Sequence, residues 1–142
     1  MATNTRVSEA SLGAKAVENA QPVILVVDDE PLTRLYECDV AEEAGYLTVG
    51  AFSAEDAIME LEGPTEFQIM LTDVEMPGGL DGFALARTVQ ERWPEVRIVI
   101  TSGEPDYADQ AEESDLTFVA KPFTPDQLNS ALQARASGPD RS

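Results

Sequence analysis

The sequence predicts an α/β protein built on an open, doubly wound, five-stranded parallel sheet of order 2-1-3-4-5 with five helices. Three observations lead there. Apolar runs of strand length alternate strictly with segments of helical spacing. Four of the strand runs are nearly all apolar, as strands covered on both faces must be. At 142 residues the chain has room for one domain plus tails. Right-handed crossovers leave few strand orders at that size, of which 2-1-3-4-5 fits best.

Residues 1–21 hold only Val7, Leu12 and Val17 as sizeable apolar residues, and their spacing makes no helical stripe. A disordered extension is expected there, a domain over residues 22–136, and a frayed tail over 137–142. Val23-Ile-Leu-Val-Val27 is the first strand. Pro31 then opens a helix whose apolar positions are read as Leu32, Leu35, Tyr36 and Val40, stopped by Gly45. Tyr46 to Phe52 is the second strand, and Ser53 caps a helix carrying Ala57, Ile58 and Leu61.

Phe67-Gln-Ile-Met-Leu-Thr72 forms the third strand. After a Pro/Gly-rich loop, Asp81 caps a helix with Phe83, Leu85, Ala86 and Val89 on its apolar side, ended by Pro94. Val96 to Ile100 is the fourth strand, and a short helix around Ala108 to Glu113 leads to the fifth, Leu116 to Ala120. Thr124-Pro125-Asp126-Gln127 is a capping box with proline at the first helical position. It opens a helix that buries Leu128, Ala131 and Leu132.

Composition prunes the chemistry. There is no histidine and a single cysteine, Cys38, which removes histidine metal sites, Ser-His-Asp triads, disulfides and cysteine zinc sites. Twenty-seven acidic residues against nine basic ones give a net charge of −18, the wrong sign for contacting nucleic-acid phosphates. No run of the sequence is apolar enough for a signal peptide or a membrane span. A soluble, cytoplasmic protein is the expectation.

In a doubly wound sheet the working site lies at the carboxyl ends of the strands. The first strand ends in Asp28-Asp29-Glu30, the third in Asp73, the fourth in Thr101-Ser102 and the fifth in Lys121-Pro122. Asp28 or Asp29 alone reads as a helix cap, but that reading does not account for the whole set. Clustered carboxylates repel unless a cation sits among them, and oxygen-only ligands select a hard ion, Mg²⁺ or Mn²⁺. An ionised Asp73 beside such an ion is a nucleophile toward phosphorus, with Lys121 and the Thr101 hydroxyl placed to receive the phosphoryl oxygens.

Four ordered motifs carry a family resemblance: Val-Val-Asp28-Asp29-Glu30-Pro31, Leu-Thr-Asp73-Val-Glu-Met76-Pro77, Ile-Thr101-Ser-Gly and Ala-Lys121-Pro122-Phe123. Over about residues 22 to 136 the chain resembles the receiver domains of two-component response regulators, which have a flavodoxin-like fold. The resemblance implies that Asp73 is the phosphorylated residue. It implies that Asp29 and Asp73 bind Mg²⁺ directly, Asp28 acts largely through water, and the Glu75 backbone carbonyl is a further ligand. Thr101 would be the switch hydroxyl, Phe118 the switch aromatic, and Lys121 the phosphoryl-pairing lysine before a cis Lys121–Pro122 bond. Read without the resemblance, Phe118 is an ordinary core residue.

The chain departs from the family pattern in three places. The Met76-to-Gly82 loop has one residue more than usual, with glycines at 78 and 79. Glu75 is acidic where relatives often carry a neutral residue, so an unusual lifetime of the phosphorylated form is expected. Gly103-Glu-Pro105 is a poor helix start, so the fourth helix should be brief.

The chain runs past Lys121-Pro-Phe just far enough for one helix. The expectation is therefore a stand-alone, single-domain response regulator that is not an enzyme beyond its own phosphorylation and dephosphorylation. Its partners would be a histidine kinase or histidine phosphotransfer protein and a downstream protein that the sequence does not identify. A phosphate sink or phosphorelay intermediate is the alternative. An Asp-nucleophile phosphatase of the haloacid dehalogenase type is disfavoured, because the candidate nucleophile follows the third strand and not the first. A flavin carrier is disfavoured because the acidic first loop repels phosphate.

Overall fold

The computed structural model describes residues 21–76 and 81–133. The elements run β1 (Val23–Val27), α1 (Pro31–Glu43), β2 (Leu47–Ala51), α2 (Ala54–Glu62), β3 (Ile69–Asp73), α3 (Gly82–Arg92), β4 (Arg97–Ser102), α4 (Tyr107–Glu113), β5 (Thr117–Ala120) and α5 (Pro125–Gln133). All strand pairs are parallel and the sheet order is β2-β1-β3-β4-β5, the predicted fold. Among the described residues no helix is long and apolar enough to cross a membrane.

Side chains alternate across the sheet with a period of two, and two cores result. Leu25, Val27, Met70 and Ile100 face α2, α3 and α4, where Ala57, Leu61, Leu85, Val89 and Ala111 close over them. Ile24, Val26, Leu71 and Val99 face the opposite way, against Val40 and Ala41 of α1 and Leu128 and Leu132 of α5. Fully burying one such aliphatic side chain stabilises by roughly 1.5–3 kcal/mol. β3 is buried along its whole length and is hydrogen-bonded to β1 on one side and β4 on the other.

Local signals end the helices as the sequence implies. Ser53 accepts from the Asp56 amide and Asp81 from the Ala84 amide. Thr124 and Gln127 exchange both bonds of a capping box. Gly45 leaves α1 at φ 103°, where a side chain would be strained. α4 is a single seven-residue helix whose N-cap, Asp106, makes no side-chain cap bond.

The expected inner face of α1 needs correction. Leu32, Leu35 and Tyr36 are exposed, at 75%, 57% and 40%. The buried residues of this helix are Glu37, Val40 and Ala41. Strand limits also shift: β3 extends to include Asp73, and β4 includes Thr101 and Ser102, because the ladder to each neighbouring strand continues through them. The extension at 1–20, the two glycines at 78 and 79, and the tail at 137–142 lie outside the described residues.

Candidate functional site

The parallel sheet brings four strand ends to one edge. Asp28 follows β1, its amide bonded to the Ala51 carbonyl at 3.0 Å. Asp73 ends β3 in register with Thr101 of β4, and the Lys121 amide reaches the Ser102 carbonyl at 2.9 Å. The site is thus an extension of the ladder, held by the same main-chain bonds that hold the sheet.

Asp28, Asp29 and Asp73 each bring a carboxylate oxygen within 4.8 Å of the others. Lys121 Nζ stands 3.3 Å from Asp73 Oδ1 and 3.6 Å from Asp28 Oδ2. Both distances exceed the ~2.7–2.9 Å of a close charge-assisted hydrogen bond. Asp28 Oδ2, Asp73 Oδ1 and Thr101 Oγ1 are buried without a hydrogen-bond partner, although buried polar atoms are ordinarily satisfied. One lysine is shared among several acids and saturates none of them. Oxygen donors, excess negative charge and orphaned buried acceptors together fit a hard divalent cation.

The site strains its ionisable groups. Burial, with Asp28 adding to it against the opposing pull of Lys121, raises the Asp73 carboxyl from 3.8 to about 6. Burial disfavours the Lys121 charge, yet Asp73, Asp28 and Glu37 outweigh it and push the ammonium upward. Glu37 is 1% exposed, and burial followed by Asp28 raises its carboxyl to about 8. Sequence reasoning missed Glu37 altogether.

The surroundings fix these groups. Asp28 Oδ1 accepts from the Glu30 amide at 3.0 Å, and the Asp28 carbonyl accepts from Arg34 Nη1 at 2.7 Å. The Tyr36 hydroxyl donates to the Phe123 carbonyl and its ring stacks on Phe123 with centroids 5.8 Å apart. The Lys121–Pro122 bond is cis. Glu75 is turned aside: the Ser102 hydroxyl lies 2.9 and 3.1 Å from its two carboxylate oxygens, and the Glu104 amide donates to that hydroxyl. Phe118, half-buried on β5, packs against the α2–α4 core. At Gly82 a Cβ would lie 2.2 Å from the Asp73 carbonyl oxygen and 2.8 Å from Val74 Cα, so the first turn of α3 sits directly on the end of β3.

Comparison with known proteins agrees with this geometry. A family model described as the response regulator receiver domain matches residues 24–133. Sporulation initiation phosphotransferase F of Bacillus subtilis is 30% identical over 115 residues, covering 78% of this chain and 90% of that protein. The hydrogenase transcriptional regulatory protein HoxA of Cupriavidus necator is 34% identical over 119 residues, 79% of this chain but 23% of HoxA. The chain thus spans less than a quarter of the length of that regulator. Among solved structures, a response regulator receiver protein from Sinorhizobium medicae superposes with TM-score 0.71 at 30% identity, over 80% of this chain and 92% of that one. Response regulator TrrA from Thermotoga maritima, solved in complex with Mg²⁺-BeF, gives 0.72 at 26% identity over 80% and 97%.

Proposed function

The chain belongs to the response regulator receiver domain family, and on that footing we propose that it accepts a phosphoryl group on Asp73 and signals by the change this makes at its surface. The observation that carries the reading is the Asp73 carboxylate itself. It stands at the end of the central strand, 7% exposed, with Oδ1 accepting no hydrogen bond and ion-paired to a lysine 3.3 Å away.

Asp28, Asp29, Asp73 and the Glu75 main-chain carbonyl would hold a Mg²⁺ or Mn²⁺ ion, which supplies charge neutralisation for the phosphoryl oxygens. The chain's own groups do the rest. An Asp73 oxygen attacks the phosphorus of a phosphohistidine on a histidine kinase or histidine phosphotransfer protein, forming a P–O bond as the N–P bond breaks. The electron pair leaves on the imidazole nitrogen, which takes up a proton. Lys121 pairs with one oxygen of the transferred group and the Thr101 hydroxyl donates to another. Thr101 must turn to do so, and Phe118 is the aromatic that follows it inward, altering the β4–α4–β5 face. Chemistry stops at the protein's own phosphorylation and dephosphorylation, and the setting is the cytoplasm.

A relay role is the second reading, favoured because the relative that this chain covers at 90% of its length is named a phosphotransferase. In that reading Asp73 passes its phosphoryl group onward to another histidine. A mostly apolar groove lined by Thr33, Tyr36, Gly103, Lys121, Pro122 and Phe123 opens beside the site and would offer a surface to the partner carrying that histidine.

Incubation with acetyl phosphate and Mg²⁺ followed by intact mass tests the chemistry. The expected result is a gain of about 80 Da, one phosphoryl group, that is lost in Asp73→Asn. No gain where a control receiver reacts would overturn the reading. Rapid return of label to a histidine phosphotransfer protein would favour the relay role, and a partner bound only by the phosphorylated form would favour the switch.

A further inference from the structure

Gly50 lies inside β2, in register with Val26 of β1, where a glycine weakens a strand. Its φ is outside the left-handed region, so the backbone does not call for glycine. The space beside it does. A Cβ at this position would lie 3.2 Å from Arg34 Cδ and 3.4 Å from Arg34 Nε. Arg34 belongs to α1, which covers the sheet face that Val26 shares. The missing side chain leaves a slot in β2, and Arg34 lies in it.

Through that slot Arg34 reaches the end of β1. The Asp28 amide donates to the Ala51 carbonyl at 3.0 Å, and the next rung of a parallel ladder would bring the Ser53 amide to the Asp28 carbonyl. By then β2 has ended, and Ser53 is the N-cap of α2. Arg34 Nη1 takes the place of that rung, donating to the Asp28 carbonyl at 2.7 Å. This carbonyl belongs to the peptide group that joins Asp28 to Asp29. Asp29 is exposed, so its carboxylate takes its position from the backbone beneath it and not from packing.

We infer that Arg34 is a positioning residue for the cation site, its guanidinium fixing the Asp28–Asp29 peptide group and with it the direction of both carboxylates, and that residue 50 is glycine to admit it. The inference rests on the reading of Asp28, Asp29 and Asp73 as a Mg²⁺ site. Its consequence is opposite in sign to that of charge alone. A positive side chain beside a metal site repels the metal, so removing only its charge should tighten Mg²⁺ binding. Removing a group that orients metal ligands weakens binding by about ten- to a hundred-fold.

The test titrates MgCl₂ by calorimetry into the full chain as wild type, Arg34→Ala, Gly50→Val and the double variant, with urea unfolding in EDTA measured on each. Arg34→Ala is expected to bind Mg²⁺ roughly ten-fold more weakly. Gly50→Val alters no charge and introduces a good strand former. By filling the slot it should weaken Mg²⁺ binding in the same direction, and it decides the matter alone should Arg34→Ala not fold. The double variant should bind no more weakly than Arg34→Ala, because both changes act through one contact. A purely structural role would lower the urea midpoint and leave Mg²⁺ affinity unchanged. Binding as tight as wild type, or tighter, in either single variant overturns the inference, as do losses that multiply in the double variant; the metal reading then still stands. Failure of the wild type itself to bind Mg²⁺ would overturn the metal reading, and this inference with it.

Discussion

Replacing Asp73 by asparagine in the metal-free protein should stabilise the fold, by an amount that depends on pH in a defined direction. The carboxyl titrates at 3.8 when unfolded and at about 6 when folded, chiefly through burial. Between those values the native state holds more protons than the unfolded one, so stability falls as pH rises from about 4 to about 6. Above pH 6 the loss is complete. At about 1.4 kcal/mol per pKa unit it amounts to about 3 kcal/mol. Asparagine resembles the protonated acid and carries no such loss. The variant should therefore exceed wild type by about 3 kcal/mol at pH 7.5 and by about 1 kcal/mol at pH 4.5. Urea unfolding in EDTA, followed by far-UV circular dichroism and by the single tryptophan, Trp93, measures both increments. Mg²⁺ should narrow the gap by stabilising the wild type, by about 2.7 kcal/mol at a hundred times its Kd. An asparagine variant less stable than wild type at pH 7.5, or an increment equal at both pH values, would refute the reasoning.

Two further outcomes follow from contacts around Asp73. Gly82→Ala forces a Cβ into the Asp73 carbonyl and should cost at least about 2 kcal/mol while slowing phosphorylation; an unchanged urea midpoint would show that α3 can give way. Glu75 is held aside by Ser102, so Ser102→Ala should free a carboxylate to face attacking hydroxide and lengthen the life of the phosphorylated form. Glu75→Asn should shorten it. Decay rates followed by loss of label must move in opposite directions, and identical rates in both variants would dismiss Glu75 as a control on hydrolysis.

The strands were legible because a strand buried on both faces is written directly as an apolar run, and the working edge follows from topology. Asp28, Asp73, Thr101 and Lys121 could therefore be placed together before any geometry was known. The face of α1 was not legible. Leu32, Leu35 and Tyr36 satisfy the i, i+3, i+4 spacing as well as Glu37, Val40 and Ala41 do, and hydrophobicity favours the first stripe. The structure buries the second, packing Val40 and Ala41 into the cluster with Ile24, Val26 and Leu71 of the sheet and leaving Leu32, Leu35 and Tyr36 at the surface. A buried Glu37 is invisible among 27 acidic residues. The Glu75–Ser102 contact was equally hidden, since it joins residues from two loops that only the folded sheet brings together.

The bond from the Tyr36 hydroxyl to the Phe123 carbonyl closes a span of 87 residues. Nearly the whole domain lies between the two ends of this contact, as it does between Asp28 and Lys121. Closing so long a loop carries an entropic cost recovered only when the intervening strands have paired. The acceptor site therefore has no partial form: a chain lacking β5 presents an aspartate but no lysine. Reactivity toward acetyl phosphate should consequently count fully folded molecules, and its loss on heating or in urea should track global unfolding with no earlier local step. In the proposed role, competence to accept a phosphoryl group would be inseparable from being native.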